Sequence, residues 1–255
     1  MIRFRAHPHQ RAPHTAWVHR ARSCLLLAVL ALYLTCDSAS AAGSHTPVHR
    51  TQDLAVLLSG HLAHRTPDAR GRVVAMLAAL RPITGERTTL PVIGALTAGH
   101  GTRWLRVLIP GRPNGASAWI LQQGTRRATT AWHLLVNLGA RSVRVYYQGR
   151  LMRTFSAVVG KPSTPTPTGN FFVEETLQMS SGEPGGPFAL ALSARSDALQ
   201  EFEGGPGQIA LHGRENLGGT LGAAESHGCV RLATHSIDWL AQRIGPGVPV
   251  RIYGG

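Results

Sequence analysis

The chain has 255 residues, 43% of them hydrophobic, enough for one large domain or two small ones around a real core. Aromatics make up only 6% while Gly (29) and Pro (16) are plentiful, which argues against a helical bundle and for short strands with many turns. The net charge of +13 is carried almost entirely by arginine, but no helix shows an Arg stripe and no basic stretch alternates with aromatics; this argues against nucleic acid as a partner and leaves a solvated surface or attraction to an anionic polymer.

Arg3, Arg5, Arg11, Arg20 and Arg22 precede the apolar run CLLLAVLALYLTC, Cys24 to Cys36, and Ala39-Ser40-Ala41 then offers a small-x-small cleavage pattern. Residues 1–41 therefore read as a signal peptide with a long basic n-region, and the protein as exported to the cell envelope. Asp37 ends the apolar run short of the roughly 20 residues of a permanent span, and an uncleaved N-terminal anchor is the alternative. Cleavage after Ala41 leaves a net charge of +9 and a single cysteine, Cys229. Exported proteins usually pair their cysteines, so a lone thiol points to intermolecular pairing or to a reactive site.

Residues 42–89 read as a linker or helical spacer. In TQDLAVLLSGHLAH, Leu54, Leu57, Leu58 and Leu62 recur at helical spacing, and GRVVAMLAALRP suggests a second short helix ended by Pro82. From Leu90 the texture changes to short apolar runs separated by Gly and Pro: LPVIGAL, TRWLRVLIP and SAWILQQG, the last two joined across Asn114-Gly115, a hairpin signal. Residues 90–124 are expected to form a small β module with Trp104 and Trp119 in its core.

The main domain is expected over residues 130–255 and is mainly β. WHLLVNL and SVRVYY read as strands, Gln148-Gly149 as a hairpin tip, and RLMRTFSAVVG as the return strand. The prolines of KPSTPTPTG forbid a ladder strand there and imply a rigid loop. NFFVEE, GPFALALS, GQIALHG and VPVRIY are further strands. THSIDWLAQRI reads as the one good helix, with Ile237, Leu240, Ala241 and Ile244 on one face, Thr234 or Ser236 capping its start, Asp238 in its first turn and Gly245-Pro246 stopping it.

Cysteine chemistry needs a base or a positive field beside the thiol. His212 ends a predicted strand, and Cys229 follows 17 residues later, after a Gly-rich loop that can fold back on it. Ser226-His227-Gly228-Cys229 can turn sharply at Gly228 and aim successive N–H groups at one point, as an oxyanion site requires. Arg231 adds positive charge near the thiol or a handle for a carboxylate. His212, His227 and Cys229 are legitimate zinc ligands, but a fourth ligand and a C-x-x-C pair are missing, so no metal is expected.

Taken together, HGRENLGGTLGAAESHGCVRL, His212 to Leu232, resembles the signature of the L,D-transpeptidases, the YkuD-type catalytic domain, as do the VGKPSTPTPTGNF loop and the hairpin before it. The resemblance covers about half the chain, Trp132 to Tyr253, and departs from the usual pattern at Arg214, where the family often has Thr. It implies a β-sandwich carrying a cysteine nucleophile, Cys229, with His212 as general base and later acid. The Gly213 carbonyl would orient the imidazole, and the N–H groups of His227, Gly228 and Cys229 would stabilise the oxyanion. Ser226 and Arg231 would hold the loop or bind substrate carboxylates. The implied reaction forms 3→3 cross-links between peptidoglycan stem peptides in the cell wall, with no cofactor. An L,D-carboxypeptidase on the same fold and a catalytically silent wall-binding protein are the alternatives.

Overall fold

A computed structural model describes residues 48–201 and 204–254. The expected signal peptide, residues 1–41, lies outside the described residues. Sixteen strands and one α-helix are described, arranged in two sheets.

The first sheet is built from β1 (Gln52–Leu57), β2 (His61–His64), β3 (Val73–Leu77), β4 (Thr89–Thr97), β5 (Arg103–Leu108), β6 (Ser117–Leu121) and β7 (Thr125–Thr130), in the order β3-β2-β6-β5-β4-β1-β7. Its pairings are antiparallel. The helices expected at 51–64 and 71–82 are therefore strands, and residues 42–89 are no spacer over the part described. The reason lies in burial. β1 is central, between β4 and β7, and Leu54 to Leu57 are all buried. A strand covered on both faces reads as a continuous apolar run, and such a run satisfies helical spacing as readily as strand spacing. The expected module at 90–124 is correspondingly a part of a larger sheet that runs from 52 to 130. Trp104 is buried in it, edge-on to His64, whereas Trp119 is only half-buried.

The second sheet contains β8 (Trp132–Asn137), β9 (Ser142–Tyr147), β10 (Arg150–Gly160), β11 (Gly169–Gln178), β12 (Phe188–Arg195), β13 (Gln208–His212), β14 (Ala224–Ser226), β15 (Val230–Leu232) and β16 (Pro249–Tyr253), with α1 (Thr234–Ala241) between β15 and β16. Two long strands turn it into a sandwich. The first half of β10 pairs with β9 and its second half with β15; β11 pairs first with β16 and then with β12. Each thus passes from one layer to the other, and β11 carries a register shift, between Val173 and Glu175, where it changes partner. The β9–β10 turn places Gln148 and Gly149 at φ 51° and 76°, the left-handed geometry of a tight hairpin.

α1 covers the sandwich core with Ile237 and Leu240, and Ile244 follows just beyond its end. Its start differs from expectation. Ala233 occupies the N-cap with no side-chain hydrogen bond, so neither Thr234 nor Ser236 caps it, and Asp238 falls beyond the first turn. Packing of the apolar face, not capping, holds this short helix.

The two sheets meet at β11. Adjacent residues of a strand point to opposite faces, and here Phe171 packs into the sandwich core while Phe172 packs into the core of the first sheet. Two residues further on, Glu174 is fully buried. Arg81, from the β3–β4 connection, and Arg195, at 3.0 Å, pair with its two oxygens, and the Gln208 amide donates to it at 3.1 Å. Thr84 donates its N–H and hydroxyl to the neighbouring Glu175, at 3.2 and 3.0 Å. Removing one partner from a buried ion pair strands the other charge without water. Arg81→Met is expected to lower the unfolding free energy by about 3–5 kcal/mol, read from urea denaturation. Arg87→Met, at an exposed side chain that loses only neutral bonds to the Leu57 and Leu58 carbonyls and no ion pair, is expected to change it by less than about 1 kcal/mol.

Candidate active site

The site grows out of the parallel pairing of β13 with β15. Leu211 lies opposite Val230, and His212 opposite Arg231. Strand alternation then sorts the side chains. Ile209, Leu211, Val230 and Leu232 enter the core, while Gln208, Ala210, His212 and Arg231 point to the other face. Cys229 stands two residues before Arg231 and so shares its face. The thiol and the imidazole are thus set on one face by adjacent strands, and both line a cavity of about 610 Å3 together with His227 and Arg231. Cys229 is half-buried and outside any disulfide, and its Sγ lies 3.9 Å from the Gln208 carbonyl.

His212 is held in one orientation. Its Nδ1 lies 2.8 Å from the Gly213 carbonyl, so Nδ1 carries the proton as donor and Nε2 keeps its lone pair. Burial pushes the pKa of this imidazole below its ordinary value; the bond to Gly213 opposes that, the charge of Arg231 reinforces it, and the Gly185 backbone opposes it again. Glycines allow the close packing here: Gly185 lies against the ring and Gly213 against the Gly186 backbone. A Cβ on Gly213 would sit 1.8 Å from the Gly186 carbonyl oxygen, and one on Gly185 would sit 2.7 Å from His212 Nδ1. Gly185 and Gly186 lie in the GEPGGP segment, which sequence reading passed over as a connection.

The turn that presents the thiol is stapled from inside. Ser226 is fully buried; its hydroxyl donates to the Cys229 carbonyl at 2.6 Å and accepts the Gly228 N–H at 3.1 Å. Ser226 thus holds the loop, the first of the two roles expected of it, rather than binding substrate, because no face of its hydroxyl reaches the cavity. The Gly228 N–H is likewise committed within the turn, so it is not an oxyanion donor. Gly228 contributes conformation instead: its φ of 123° lies in the region that favours glycine, with Ile209 Cδ1 only 3.0 Å from where a Cβ would stand. Arg231 serves the loop, donating to the Gly218 carbonyl at 2.9 Å while its guanidinium lines the cavity. His227 is exposed at the mouth, its Nε2 3.4 Å from Lys161 Nζ.

The proline-rich loop explains why the turn stays put. Thr164 and Thr166, both buried, donate to the carbonyls of Ser226 (3.3 Å) and Gly228 (2.7 Å), and the Thr166 hydroxyl also accepts the Gly160 N–H at 2.9 Å. Neither threonine was singled out from the sequence. The Thr-Pro alternation was the available signal, since prolines fix the backbone while Thr164 and Thr166, two residues apart, turn to the same buried side. Beside the cavity, Arg112, from the β5–β6 connection, donates to the carbonyls of Ser196 (2.6 Å), Pro206 (3.0 Å) and Leu199 (3.1 Å), holding three residues that form part of the wall. Among the described residues, no three His, Cys, Asp or Glu side chains are grouped to hold a metal.

Residues 131–252 match the family model of YkuD, the L,D-transpeptidase catalytic domain. The YkuD protein of Bacillus subtilis is 29% identical over 157 residues, which are 62% of this chain and 77% of that protein. Its namesake from Bacillus licheniformis is 31% identical over 124 residues, 49% of this chain and 67% of that one. Among solved structures, an L,D-transpeptidase from Mycobacterium smegmatis aligns with a TM-score of 0.37 at 18% identity, over 64% of this chain and 99% of its own.

Two outcomes follow from this geometry. Thr166→Val leaves the Gly160 N–H and the Gly228 carbonyl without a partner and is expected to cost about 1–3 kcal/mol, measured by denaturation. The second concerns acid. As pH falls, the unfolded chain takes up the His212 proton at the ordinary imidazole value and the folded chain only below it. Folding stability is therefore lost as pH drops from the ordinary value through the lowered one. In His212→Gln that share of the acid sensitivity is expected to vanish, as read from thermal unfolding across the same pH range.

Proposed function

Because this chain belongs to the L,D-transpeptidase family, we propose that it is a cysteine acyltransferase that joins peptidoglycan stem peptides by 3→3 cross-links. The observation that carries the reading is the placement of Cys229 and His212 on one face of adjacent parallel strands, with His212 Nδ1 tied to the Gly213 carbonyl. A base needs a lone pair directed at its substrate and a second contact that fixes its tautomer; the Gly213 bond supplies the second and reserves Nε2 for the first.

In the first step Nε2 takes the thiol proton as Sγ attacks the carbonyl of the L-centre of the diamino acid in a tetrapeptide stem. The carbonyl π electrons move to oxygen, and the backbone N–H groups of His227 and Cys229 are the donors this reading assigns to the oxyanion. Collapse breaks the amide bond to the terminal D-Ala, whose nitrogen receives the proton from His212, and a thioester remains on Cys229. In the second step the side-chain amine at the D-centre of a neighbouring stem loses a proton to His212 and attacks the thioester. The amide forms and the thiolate leaves, recovering its proton. Water in place of the amine makes the same site an L,D-carboxypeptidase. Lys161, beside His227, and Arg231 within the cavity supply positive charge that favours a substrate bearing carboxylates. The reading places the protein in the cell envelope, on the strength of the N-terminal sequence.

Incubating the protein with disaccharide-tetrapeptide is expected to yield a cross-linked dimer lacking one D-Ala, detected by mass spectrometry. Tripeptide alone would establish the hydrolytic alternative, and no turnover would overturn the reading. Cys229→Ala is expected to abolish product, and His212→Asn to reduce kcat/KM by about 10²–10⁴-fold. The lowered pKa of His212 keeps the base neutral under mild acid, so the acid limb of kcat/KM is expected below the ordinary imidazole value. A limb at or above that value would contradict the assignment.

A further inference from the structure

One wall of the catalytic cavity comes from outside the catalytic sandwich. Ile83, in the connection between β3 and β4 of the first sheet, lines the same cavity as Cys229 and His212 although it is 68% exposed. A single exposed isoleucine is ordinary. What distinguishes this one is how firmly its loop is fixed. The loop closes on itself through Gly85 N–H to the Arg81 carbonyl (3.0 Å) and Arg81 N–H to the Glu86 carbonyl (2.8 Å). Two residues before Ile83, Arg81 enters the buried pair with Glu174; one residue after it, Thr84 donates twice to Glu175. Gln208, which also donates to Glu174, supplies the carbonyl beside the Cys229 thiol. The loop tip and the nucleophile are thus referenced to one buried carboxylate, and Met179, Pro184, Leu199 and Leu217 complete an apolar lining around them.

We infer that Ile83 is a specificity-determining residue that packs against the aliphatic part of the donor stem peptide, so that the first sheet forms part of the substrate site. The inference rests on the reading of this cavity as the donor site. The donor is the occupant because its scissile carbonyl must come within about 3–3.5 Å of Sγ, which places the rest of the stem in the cavity that Ile83 lines. An apolar contact here raises affinity for a stem whose aliphatic chain reaches it and contributes nothing to the acyl transfer itself.

The test uses the full chain in a Cys229→Ala background, where chemistry cannot intervene, and measures binding of disaccharide-tetrapeptide by calorimetry. Ile83→Asp is expected to weaken binding about tenfold, Ile83→Leu to keep it within about twofold of the parent, and both to unfold at the parent's temperature because the side chain is exposed. Unchanged binding by the folded Ile83→Asp protein would overturn the inference, as would a parent that does not bind the tetrapeptide. If binding depends on Ile83 while the wild type forms neither dimer nor tripeptide, the inference stands and the proposed reaction falls.

Discussion

Glu174 is a carboxylate placed where water cannot reach it. Burial alone raises its pKa, and the charges of Arg195 and Arg81 act against that rise. Neither guanidinium could be withdrawn without stranding a charge. Because Arg195 comes from β12 and Arg81 from the first sheet, the same carboxylate that braces the sandwich also binds the two sheets together. Phe171 and Phe172, pointing to opposite faces of β11, extend this coupling into both apolar cores. The first sheet is for this reason a structural partner of the catalytic sandwich, and its loops take up fixed positions beside the cavity.

The site itself follows from a second economy of groups. A thiol at the start of β15 and an imidazole at the end of β13 share a face because the strands are parallel and two-residue alternation holds in both. Keeping that relation requires a rigid turn before Cys229. Ser226 and Gly228 hold it from within, and Thr164 and Thr166 hold it from the proline-rich loop. Groups that could have been read as substrate ligands are spent on this rigidity. Ser226 is the clearest case: a hydroxyl one turn from a nucleophile invites a chemical role, yet both its hydrogen bonds lie inside the turn.

Most sandwich strands were legible from sequence, the short β14 and β15 excepted, and the reason is visible in their burial. Strands such as β13 and β16 alternate buried with half-buried or exposed positions, and Gly and Pro mark their ends. The first sheet was illegible in its opening part because β1 is covered on both faces and gives no alternation to read. β3 misled for a different reason: at the sheet edge, Val73, Val74 and Met76 are exposed, so apolar residues stand on both faces and only Ala75 and Leu77 mark the buried one. The pair Cys229 and His212 stood out because its chemistry is local to a motif. Arg81, Thr166, Gly185 and Ile83 did not, since each matters only through a partner far away in the chain.

The sequence by itself determined the mainly β character, the rigid proline-rich loop, the thiol with its base, and the glycine that lets the turn form. These are local properties, set by residue type and spacing within a few positions. Tertiary structure alone decided which groups Ser226 and Gly228 N–H would serve, that Gly185 would lie against the His212 ring and Gly186 against Gly213, and that a loop of the 52–130 region would wall the catalytic cavity. Those outcomes depend on how distant backbone segments approach one another, and a hydrogen bond or a buried charge pair between such segments leaves no periodic trace in the chain.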